Sequence, residues 1–201
     1  LQLFLHGFIK GDSVTLDPHK WLFQSYETGC LMVRDAADLD AAFSTNPEYL
    51  QDTQIGRDHV NFGERGIQLS RSFRALKVWM SIKSFGVGAF RSSIQKAMNL
   101  AREAQAYVEA SDGLELLSPA ALGVVCYRFN PPDHDIDSTG LEELNVEIQQ
   151  RIVSSGHAMV SSTRLQGAYV LRICVMNYTS TAEDVLGTLG RVEAIGLELL
   201  A

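Results

Sequence analysis

The spacing of hydrophobic and polar residues predicts two strands, a short helix and a long loop in the first third of the chain. Two short runs, 12–16 and 29–34, have the character of β-strands and flank a segment that contains a lysine. Asp35 can cap a short helix after the second run. Residues 44–66 then mix Pro, Gly, Asn and Asp without an apolar period, which predicts a long loop.

The period becomes helical from about Ser70 and is interrupted at residues 86–88. Phe73, Leu76 and Met80 share one face of the first predicted helix. The second predicted helix carries the stripe Phe90, Ile94, Met98, Ala101, Gln105 and Val108. Residues 86–88 are Gly-Val-Gly, but they lack a third glycine and lie between helices, so they do not indicate a dinucleotide site.

The pattern changes again at Asp112 and predicts the order strand, strand, helix, strand, strand, helix. The four predicted strands are 114–117, 122–129, 158–163 and 168–175. One helix begins at the capping box Thr139–Glu142 and the other at the capping box Ser180–Glu183. Their predicted inward residues are Leu141, Leu144, Ile148, Ile152, Val185, Leu189, Val192 and Leu199. This order predicts a small α+β unit with an antiparallel sheet.

Composition narrows the class of protein. The chain has 201 residues, 46% of them hydrophobic, and a net charge of -7 without a basic cluster, which argues against a nucleic-acid partner. No run approaches the ~20 apolar residues that cross a bilayer, so we predict no membrane span. The first residues show neither an initiator Met nor a signal peptide, which predicts a partial chain. Cys30, Cys126 and Cys174 lie far apart in apolar stretches, as expected of reduced thiols in a cytoplasmic protein.

Several kinds of reactive site are not indicated by the sequence. The five histidines and three cysteines show no C-x-x-C pair, no H-E-x-x-H motif and no other ligand-like spacing, so we predict no metal site. A G-x-S-x-G elbow and a P-loop are also absent from the sequence, which argues against an acyl-transfer triad and against a P-loop nucleotide site.

Lys20 stands in the segment DPHKWLFQ, between an imidazole and an indole. Burial would disfavour the ammonium form and free the amine to attack a carbonyl. The neighbours that could supply this burial are Leu16, Trp21, Leu22 and Phe23. Alternatively, Lys20 is a surface lysine whose stem covers apolar side chains while its amine stays in water. From the residues alone, both interpretations remain open.

Arg172 interrupts the apolar strand AYVLRICV. Alternation places it on one sheet face with Val170 and Cys174, and Leu171 and Ile173 on the other face. A guanidinium in the middle of a strand is costly to bury without an anion, and its planar fork suits a carboxylate. The alternatives are a carboxylate of this chain, a strand edge open to water, and the carboxylate of a ligand.

Three stretches together resemble one known family. DPHKWLFQ followed by YETGCLMVRD is similar to the cofactor-lysine segment of the group II pyridoxal-phosphate-dependent decarboxylases. That family includes aromatic-L-amino-acid, glutamate, histidine and 2,4-diaminobutyrate decarboxylases. GIQLSRSFRALKVWMSIKSFG resembles the family's next helix, and YVLRICV resembles its C-terminal strand. The resemblance covers essentially the whole chain and corresponds to the C-terminal half of such an enzyme.

The resemblance implies an α/β fold, namely the C-terminal part of a fold-type-I pyridoxal-phosphate-dependent transferase-like large domain plus a small α+β domain. Residues 1–112 are expected to end the cofactor-binding large domain and to include the cofactor lysine, a mobile loop and connecting helices. Residues 113–201 are expected to form the small C-terminal domain with its antiparallel sheet. The complete enzyme is expected to be a homodimer in which loop 44–66 closes over the site.

The resemblance also implies roles for four residues. Lys20 forms the Schiff base with pyridoxal phosphate, and His19 helps to hold the cofactor phosphate. Asp17 matches a cofactor-binding position near that phosphate, although its negative charge disfavours direct contact. Arg172 is expected to receive the α-carboxylate of an amino-acid substrate.

The proton donor to Cα is where the sequence departs from the family. Phe62 occupies the position at which aromatic decarboxylases carry a loop tyrosine, and the residue aligned with Arg65 is tyrosine in other similar sequences. Tyr49 is the only tyrosine of loop 44–66. Phenylalanine at position 62 marks some aldehyde-forming relatives.

The expected function is decarboxylation of an amino acid, with an aromatic substrate favoured over glutamate-like and diamino acids. The alternatives are an aldehyde synthase or an aminotransferase on the same fold, or a catalytically incomplete fragment. The family's aspartate that pairs with the pyridine nitrogen and its stacking histidine precede the lysine segment and are not found in this sequence. We therefore expect the 201-residue chain alone to bind pyridoxal phosphate poorly and not to turn over.

Overall fold

The computed structural model describes residues 7–45, 48, 60–132 and 134–201. The chain divides into two compact units between Ser84 and Phe85. The long helix α3 (Arg74–Ala110) contributes residues to both units. The domain boundary predicted at residue 112 concerns the complete protein and stays a prediction.

The first unit contains a small antiparallel sheet and two short helices. Strand β1 (Ser13–Leu16) pairs with strand β2 (Cys30–Val33), and helix α1 (Pro18–Trp21) lies between them in sequence. Helix α2 (Ala37–Phe43) follows the second strand. Asp35 Oδ1 accepts a hydrogen bond of 2.9 Å from the first backbone amide of α2. The predicted order of strand, strand and short helix is confirmed here, with α1 as an added turn.

Helix α3 is kinked where the sequence predicted a break. Gly86 has φ 75° and ψ 155°, a conformation that glycine adopts at little cost and that other residues rarely adopt. Beyond the kink, the buried residues of α3 are Ala97, Leu100, Ala101, Ala104 and Val108. The predicted stripe of larger residues is therefore only partly right, because three alanines allow this helix to approach its neighbours closely.

The second unit contains a four-stranded antiparallel sheet with the strand order β3-β4-β6-β5. Its strands are β3 (Leu114–Ala121), β4 (Val124–Phe129), β5 (Ser161–Leu165) and β6 (Ala168–Cys174). Helix α4 (Ser138–Ser154) follows β4, and helix α5 (Ala182–Leu200) follows β6. The predicted order of elements and the antiparallel sheet are confirmed.

One face of this sheet packs against the helices of the second unit. Its core side chains alternate along the two central strands: Val125, Tyr127, Phe129, Leu171 and Ile173. They share a hydrophobic cluster with buried residues of α3, α4 and α5. Because side chains alternate along a strand, Cys126, Arg172 and Cys174 lie on the other face.

Helix α4 begins at a different cap from the predicted one. Asp137 is its N-cap residue, and its Oδ1 accepts a hydrogen bond of 2.8 Å from Gly140 N. The predicted capping box Thr139–Glu142 is wrong, because the Glu142 carboxylate pairs with the Arg164 guanidinium instead of turning back to the helix.

Helix α5 has a capping box one residue after the predicted position. Thr181 Oγ1 accepts from Asp184 N at 3.2 Å, and Asp184 Oδ2 accepts from Thr181 N at 2.8 Å. The predicted box Ser180–Glu183 was therefore displaced by one residue. A serine and a threonine in succession offer two equivalent caps, and the position of the first helical turn selects between them.

Asn145 is a fully buried polar residue of α4 that the periodicity did not indicate. Its Oδ1 accepts from Phe129 N at 2.9 Å, and its Nδ2 donates to Phe129 O and to Leu141 O, also at 2.9 Å. The amide thus satisfies both backbone groups of Phe129 where β4 ends. It joins the helix to the end of the strand by a polar contact inside an apolar core.

Replacing Asn145 with Ala is expected to lower the free energy of unfolding by about 3 kcal/mol, because it leaves two buried backbone groups of Phe129 without partners. Urea unfolding of the complete protein measures this change. Asn99→Ala is the matched control, since Asn99 is an exposed asparagine on α3. Similar unfolding midpoints for the two variants would contradict the expectation.

For Tyr127 we expect the opposite result, because removing its buried polar group should not lower the stability. Its ring is fully buried, and its hydroxyl has no hydrogen-bond partner among the described residues. Burial also raises the pKa of this phenol. Tyr127→Phe removes a buried polar group that gains nothing, so it is expected to leave stability unchanged or raise it by about 1 kcal/mol. A clear loss in urea unfolding would show that the hydroxyl has a partner.

Candidate active site

The segment that carries Lys20 is held by its own backbone. Pro18 occupies the first turn of α1, where a missing N–H is tolerated, and it is buried. Phe23 has a φ of 53° and reverses the chain after this single turn. Gln24 N can therefore donate to Pro18 O at 3.1 Å, and Lys20 N donates to Asp17 O at 2.9 Å. The result is a compact turn that presents Asp17, His19 and Lys20 together.

The Lys20 amine is paired with the nearest carboxylate. Lys20 Nζ donates to Asp17 Oδ2 at 2.6 Å, and this hydrogen bond lowers the pKa of Asp17. Of the two interpretations of Lys20, the described chain favours the surface lysine, since its side chain is 59% exposed. The reason is geometric: α1 is a single turn, and Leu16 beside it is itself exposed.

His19 is oriented by the backbone of Thr28. Its Nδ1 lies 2.7 Å from Thr28 O and 3.2 Å from Thr28 N, so one nitrogen faces both groups of one residue. Either tautomer finds a partner there, since Nδ1 can donate to the carbonyl or accept from the amide. No described residue hydrogen-bonds to Nε2, so this nitrogen is available to a ligand.

Helix α3 anchors the segment that follows Lys20. Lys77 Nζ donates to Ser25 O at 3.0 Å and to Glu27 O at 2.9 Å. Arg74 forms an ion pair with the Glu27 carboxylate, and this bond lowers the pKa of Glu27. These contacts fix the irregular segment that ends in Thr28, and through Thr28 they fix the ring of His19.

Gln24 is a buried residue of the same segment that also bonds to helix α3. It is buried, its Nε2 donates to Leu22 O at 2.7 Å, and its Oε1 accepts from Ser81 Oγ at 3.0 Å. Arg74, Lys77 and Ser81 are therefore supporting residues that sequence reasoning missed. Their signal was present, because their spacing of three and four residues places them on one face of a helix.

The end of the predicted loop 44–66 is tied down by an ion pair. Arg65 donates to both carboxylate oxygens of Asp40, at 2.7 Å from Nε and 3.1 Å from Nη2. Phe62 is exposed, and the Arg71 guanidinium lies 5.1 Å from the centre of its ring. Most of the loop, including Tyr49, lies outside the described residues, so its closure stays a prediction.

Arg172 belongs to the second compact unit and lies on a central strand of its sheet. Ser161 Oγ donates to Arg172 O at 3.2 Å, and Arg172 Nε donates to Cys174 Sγ at 2.8 Å. Among the residues that the structure describes, no carboxylate lies within 4.0 Å of its guanidinium. A half-buried guanidinium without an internal anion favours the interpretation that its partner is a ligand.

The described residues were also compared with what a membrane-spanning helix and a metal site require. None of their helices combines the length and the apolar character that crossing a bilayer requires. Within the same residues, no three side chains of His, Cys, Asp or Glu come together in a group that could hold a metal ion.

The family of this chain is decided by its sequence similarity. The model of a family described as "Pyridoxal-dependent decarboxylase conserved domain" matches residues 2–130, a range that includes α1 and all of α3. The chain belongs to the pyridoxal-dependent decarboxylase family. The resemblance inferred from the lysine segment is therefore confirmed.

The curated relatives of this chain are much longer than the chain itself. It is 40% identical over 196 residues to an aromatic-L-amino-acid decarboxylase of Bacillus atrophaeus, and this match covers 97% of the chain and 41% of that protein. It is 32% identical to a phenylacetaldehyde synthase of Petunia hybrida, over 87% of the chain and 36% of that protein. The chain thus spans about two fifths of the length of these relatives.

Solved structures confirm the predicted fold class. Oryza sativa TDC, solved with PLP and tryptamine, matches with a TM-score of 0.88 at 26% identity, over 98% of this chain and 41% of that one. Catharanthus roseus tryptophan decarboxylase, in complex with L-tryptophan, matches with a TM-score of 0.83 at 29% identity, over 98% of this chain and 40% of that one. The mixed helices and antiparallel sheets are therefore those of the corresponding part of a pyridoxal-phosphate decarboxylase.

The residues of α1 fit the family's cofactor. Lys20 offers a primary amine, the group that condenses with an aldehyde, and its exposed side chain can be reached. When His19 Nδ1 accepts from Thr28 N, its Nε2 carries the proton and can donate to a phosphate oxygen beside Lys20. Asp17 does not fit a direct phosphate contact, because its carboxylate is anionic and already holds the Lys20 amine.

The Asp40–Arg65 pair predicts a pH-dependent contribution to stability. The hydrogen bond from Arg65 lowers the pKa of Asp40, so the folded protein keeps this carboxylate ionised to a lower pH than the unfolded chain does. The contribution is present at neutral pH. Its loss begins as the pH falls below about 4, the pKa of the unfolded chain, and is complete below the lowered pKa of the folded protein. Asp40→Asn should therefore destabilise the protein more at pH 7 than near pH 2.5.

Urea midpoints of the wild type and the variant at the two pH values check this expectation. Asp38→Asn is the matched control, because Asp38 is on the same helix and its carboxylate makes no ion pair with a described residue. An Asp40→Asn effect that is equal at both pH values would show that the carboxylate acts through packing and not through its charge.

Proposed function

We propose that the protein to which this chain belongs is a pyridoxal-phosphate-dependent decarboxylase of amino acids, with aromatic amino acids as its substrates. The observation that carries the proposal is the family match over residues 2–130, within which Lys20 is the exposed amine of a turn that α3 holds in place. The aromatic substrate class rests on relatives named for it, among them the Bacillus atrophaeus decarboxylase at 40% identity.

Lys20 and His19 are proposed to bind the cofactor. When bound, pyridoxal phosphate supplies an electron-poor ring that accepts the electron pair left behind as CO₂ departs. Lys20 contributes the amine that condenses with the aldehyde, and that amine must lose the proton it shares with Asp17 before it can react. His19 donates from Nε2 to the phosphate in the tautomer whose Nδ1 accepts from Thr28 N, and this contact keeps the ring in place. Asp17 acts through Lys20, because its carboxylate accepts the hydrogen bond of the Lys20 amine.

Arg172 is proposed to receive the α-carboxylate of the amino acid. Its guanidinium carries a positive charge that no described carboxylate neutralises, and its fork matches the two oxygens of a carboxylate. Such a pair orients the bond that breaks, because the carboxylate is held while the rest of the amino acid is bound elsewhere. The proposed role is binding and orientation, with no proton transfer at this residue.

A second candidate function is the formation of an aldehyde from the same amino acids. Phenylacetaldehyde synthases are among the relatives, at 32% and 33% identity. Phe62 stands where aromatic decarboxylases are expected to carry a tyrosine, and its exposed ring has no hydroxyl with which to donate a proton. Analysis of the products separates the two functions, because a decarboxylase yields amine and CO₂ whereas an aldehyde synthase yields aldehyde, CO₂, ammonia and peroxide.

The wider organisation of the protein is proposed on the same basis. Residues 1–112 end the cofactor-binding large domain, and residues 113–201 form the small C-terminal domain. The complete enzyme is a cytoplasmic homodimer, and loop 44–66 closes over its site. These proposals rest on the family to which the chain belongs.

Lys20→Arg is the direct test of the proposed function. The complete protein is expected to lose all CO₂ release, because a guanidinium does not condense with an aldehyde. Borohydride reduction of the unmodified protein with pyridoxal phosphate should attach the cofactor to the peptide that contains Lys20, as read by mass spectrometry. Lys10→Arg, at an exposed lysine of the same unit, is the control and should keep both properties. Label on another lysine, or full turnover by Lys20→Arg, would refute the assignment.

A further inference from the structure

The backbone of Arg172 is held by two neighbouring strands, and its side chain is held by a hydrogen bond. Strand β6 is hydrogen-bonded on both sides, with Arg172 opposite Cys126 of β4 and opposite Ser161 of β5. Ser161 Oγ also donates to Arg172 O at 3.2 Å. The remaining freedom of the residue lies in its long side chain, which has several rotatable bonds.

Cys174 removes much of that freedom. It lies two residues after Arg172 on the same sheet face, and its Sγ accepts from Arg172 Nε at 2.8 Å. Among the described residues, Cys174 is the side chain to which the Arg172 guanidinium donates a hydrogen bond. With Nε engaged, the donors that remain for a ligand are those of Nη1 and Nη2.

The other nearby thiol does not take this part. Cys126 is directly opposite Arg172, but no described side chain forms a hydrogen bond with its sulfur. Burial raises the pKa of the Cys126 thiol, an effect that the positive charge of Arg172 only partly opposes. Cys126 therefore stays a neutral thiol beside the guanidinium and provides no counter-charge.

We propose that Cys174 is a positioning residue for the substrate carboxylate: its sulfur holds Arg172 Nε, so that the carboxylate binds end-on to Nη1 and Nη2. The inference rests on the proposed function of Arg172. Holding the guanidinium before the substrate arrives reduces the side-chain entropy that binding would otherwise remove. An end-on carboxylate also has one direction of approach, along the axis of the arginine side chain.

The consequence is a split between the kinetic constants. Cys174→Ala leaves Arg172 charged but free to rotate, so the KM for the amino acid is expected to rise about tenfold while kcat changes little. Cys174→Ser restores an acceptor and should return the KM close to the wild-type value. The amine product has no carboxylate, so its inhibition constant should be the same in the wild type and in Cys174→Ala.

The experiment measures KM, kcat and inhibition by the amine product for the complete protein with pyridoxal phosphate bound. Cys126→Ala is the matched control, because it removes a neighbouring thiol without removing the bond to Nε. Cys174→Val, which fills the space of the thiol without an acceptor, takes the place of the alanine variant should that variant fail to fold. Thermal unfolding and the absorbance of the bound cofactor check that each variant is folded.

The outcomes separate this inference from the function on which it rests. A raised KM in Cys174→Ala and Cys174→Val, recovery in Cys174→Ser and unchanged binding of the amine support it. A raised KM in Arg172→Lys together with a wild-type KM in Cys174→Ala overturns it and leaves the carboxylate role of Arg172 intact. Equal losses for the amino acid and the amine also overturn it. An unmodified protein that releases no CO₂ refutes the proposed function itself.

Discussion

The shape of the lysine-bearing segment depends on the ammonium of Lys77. Residues 22–29 form neither helix nor strand, so their backbone groups need partners from elsewhere. Lys77 Nζ meets two of the carbonyls, and Arg74 and Ser81 hold neighbouring side chains from the same helix face. Because Thr28 orients His19, a helix more than fifty residues away along the chain determines which nitrogen of that ring is left to a ligand.

The four-stranded sheet separates its apolar core from the charge of Arg172 by the alternation of its side chains. On one face, the apolar residues of β4 and β6 pack with three helices and exclude water. On the other face, the same strands carry Arg172 with two thiols beside it. A charge is tolerated there because it costs the core nothing, and it stays available because the nearest groups are sulfurs and not carboxylates. The rigidity that the core provides is thereby transmitted to the guanidinium.

The sequence was a good guide to the order of elements and a poor guide to their ends. The alternation of strands and the break at Gly86 were readable because backbone geometry repeats locally. The observed caps are Asp137 and Thr181, and the predicted caps lay two residues and one residue away from them. Neighbouring polar side chains are chemically equivalent as caps until the first helical turn is placed. The contact of Asn145 with Phe129 could not be predicted, since it joins residues that only the packing of α4 brings together.

By itself, the sequence determined the family and singled out Lys20 and Arg172 as candidates, because these depend on residue types in a short fixed order. Only the tertiary structure decided that Asp17 holds Lys20, that Thr28 holds His19 and that a sulfur holds Arg172 Nε. The reason is that a hydrogen bond depends on distance and direction within a few tenths of an ångström. No spacing along a chain specifies those quantities until the backbone has folded.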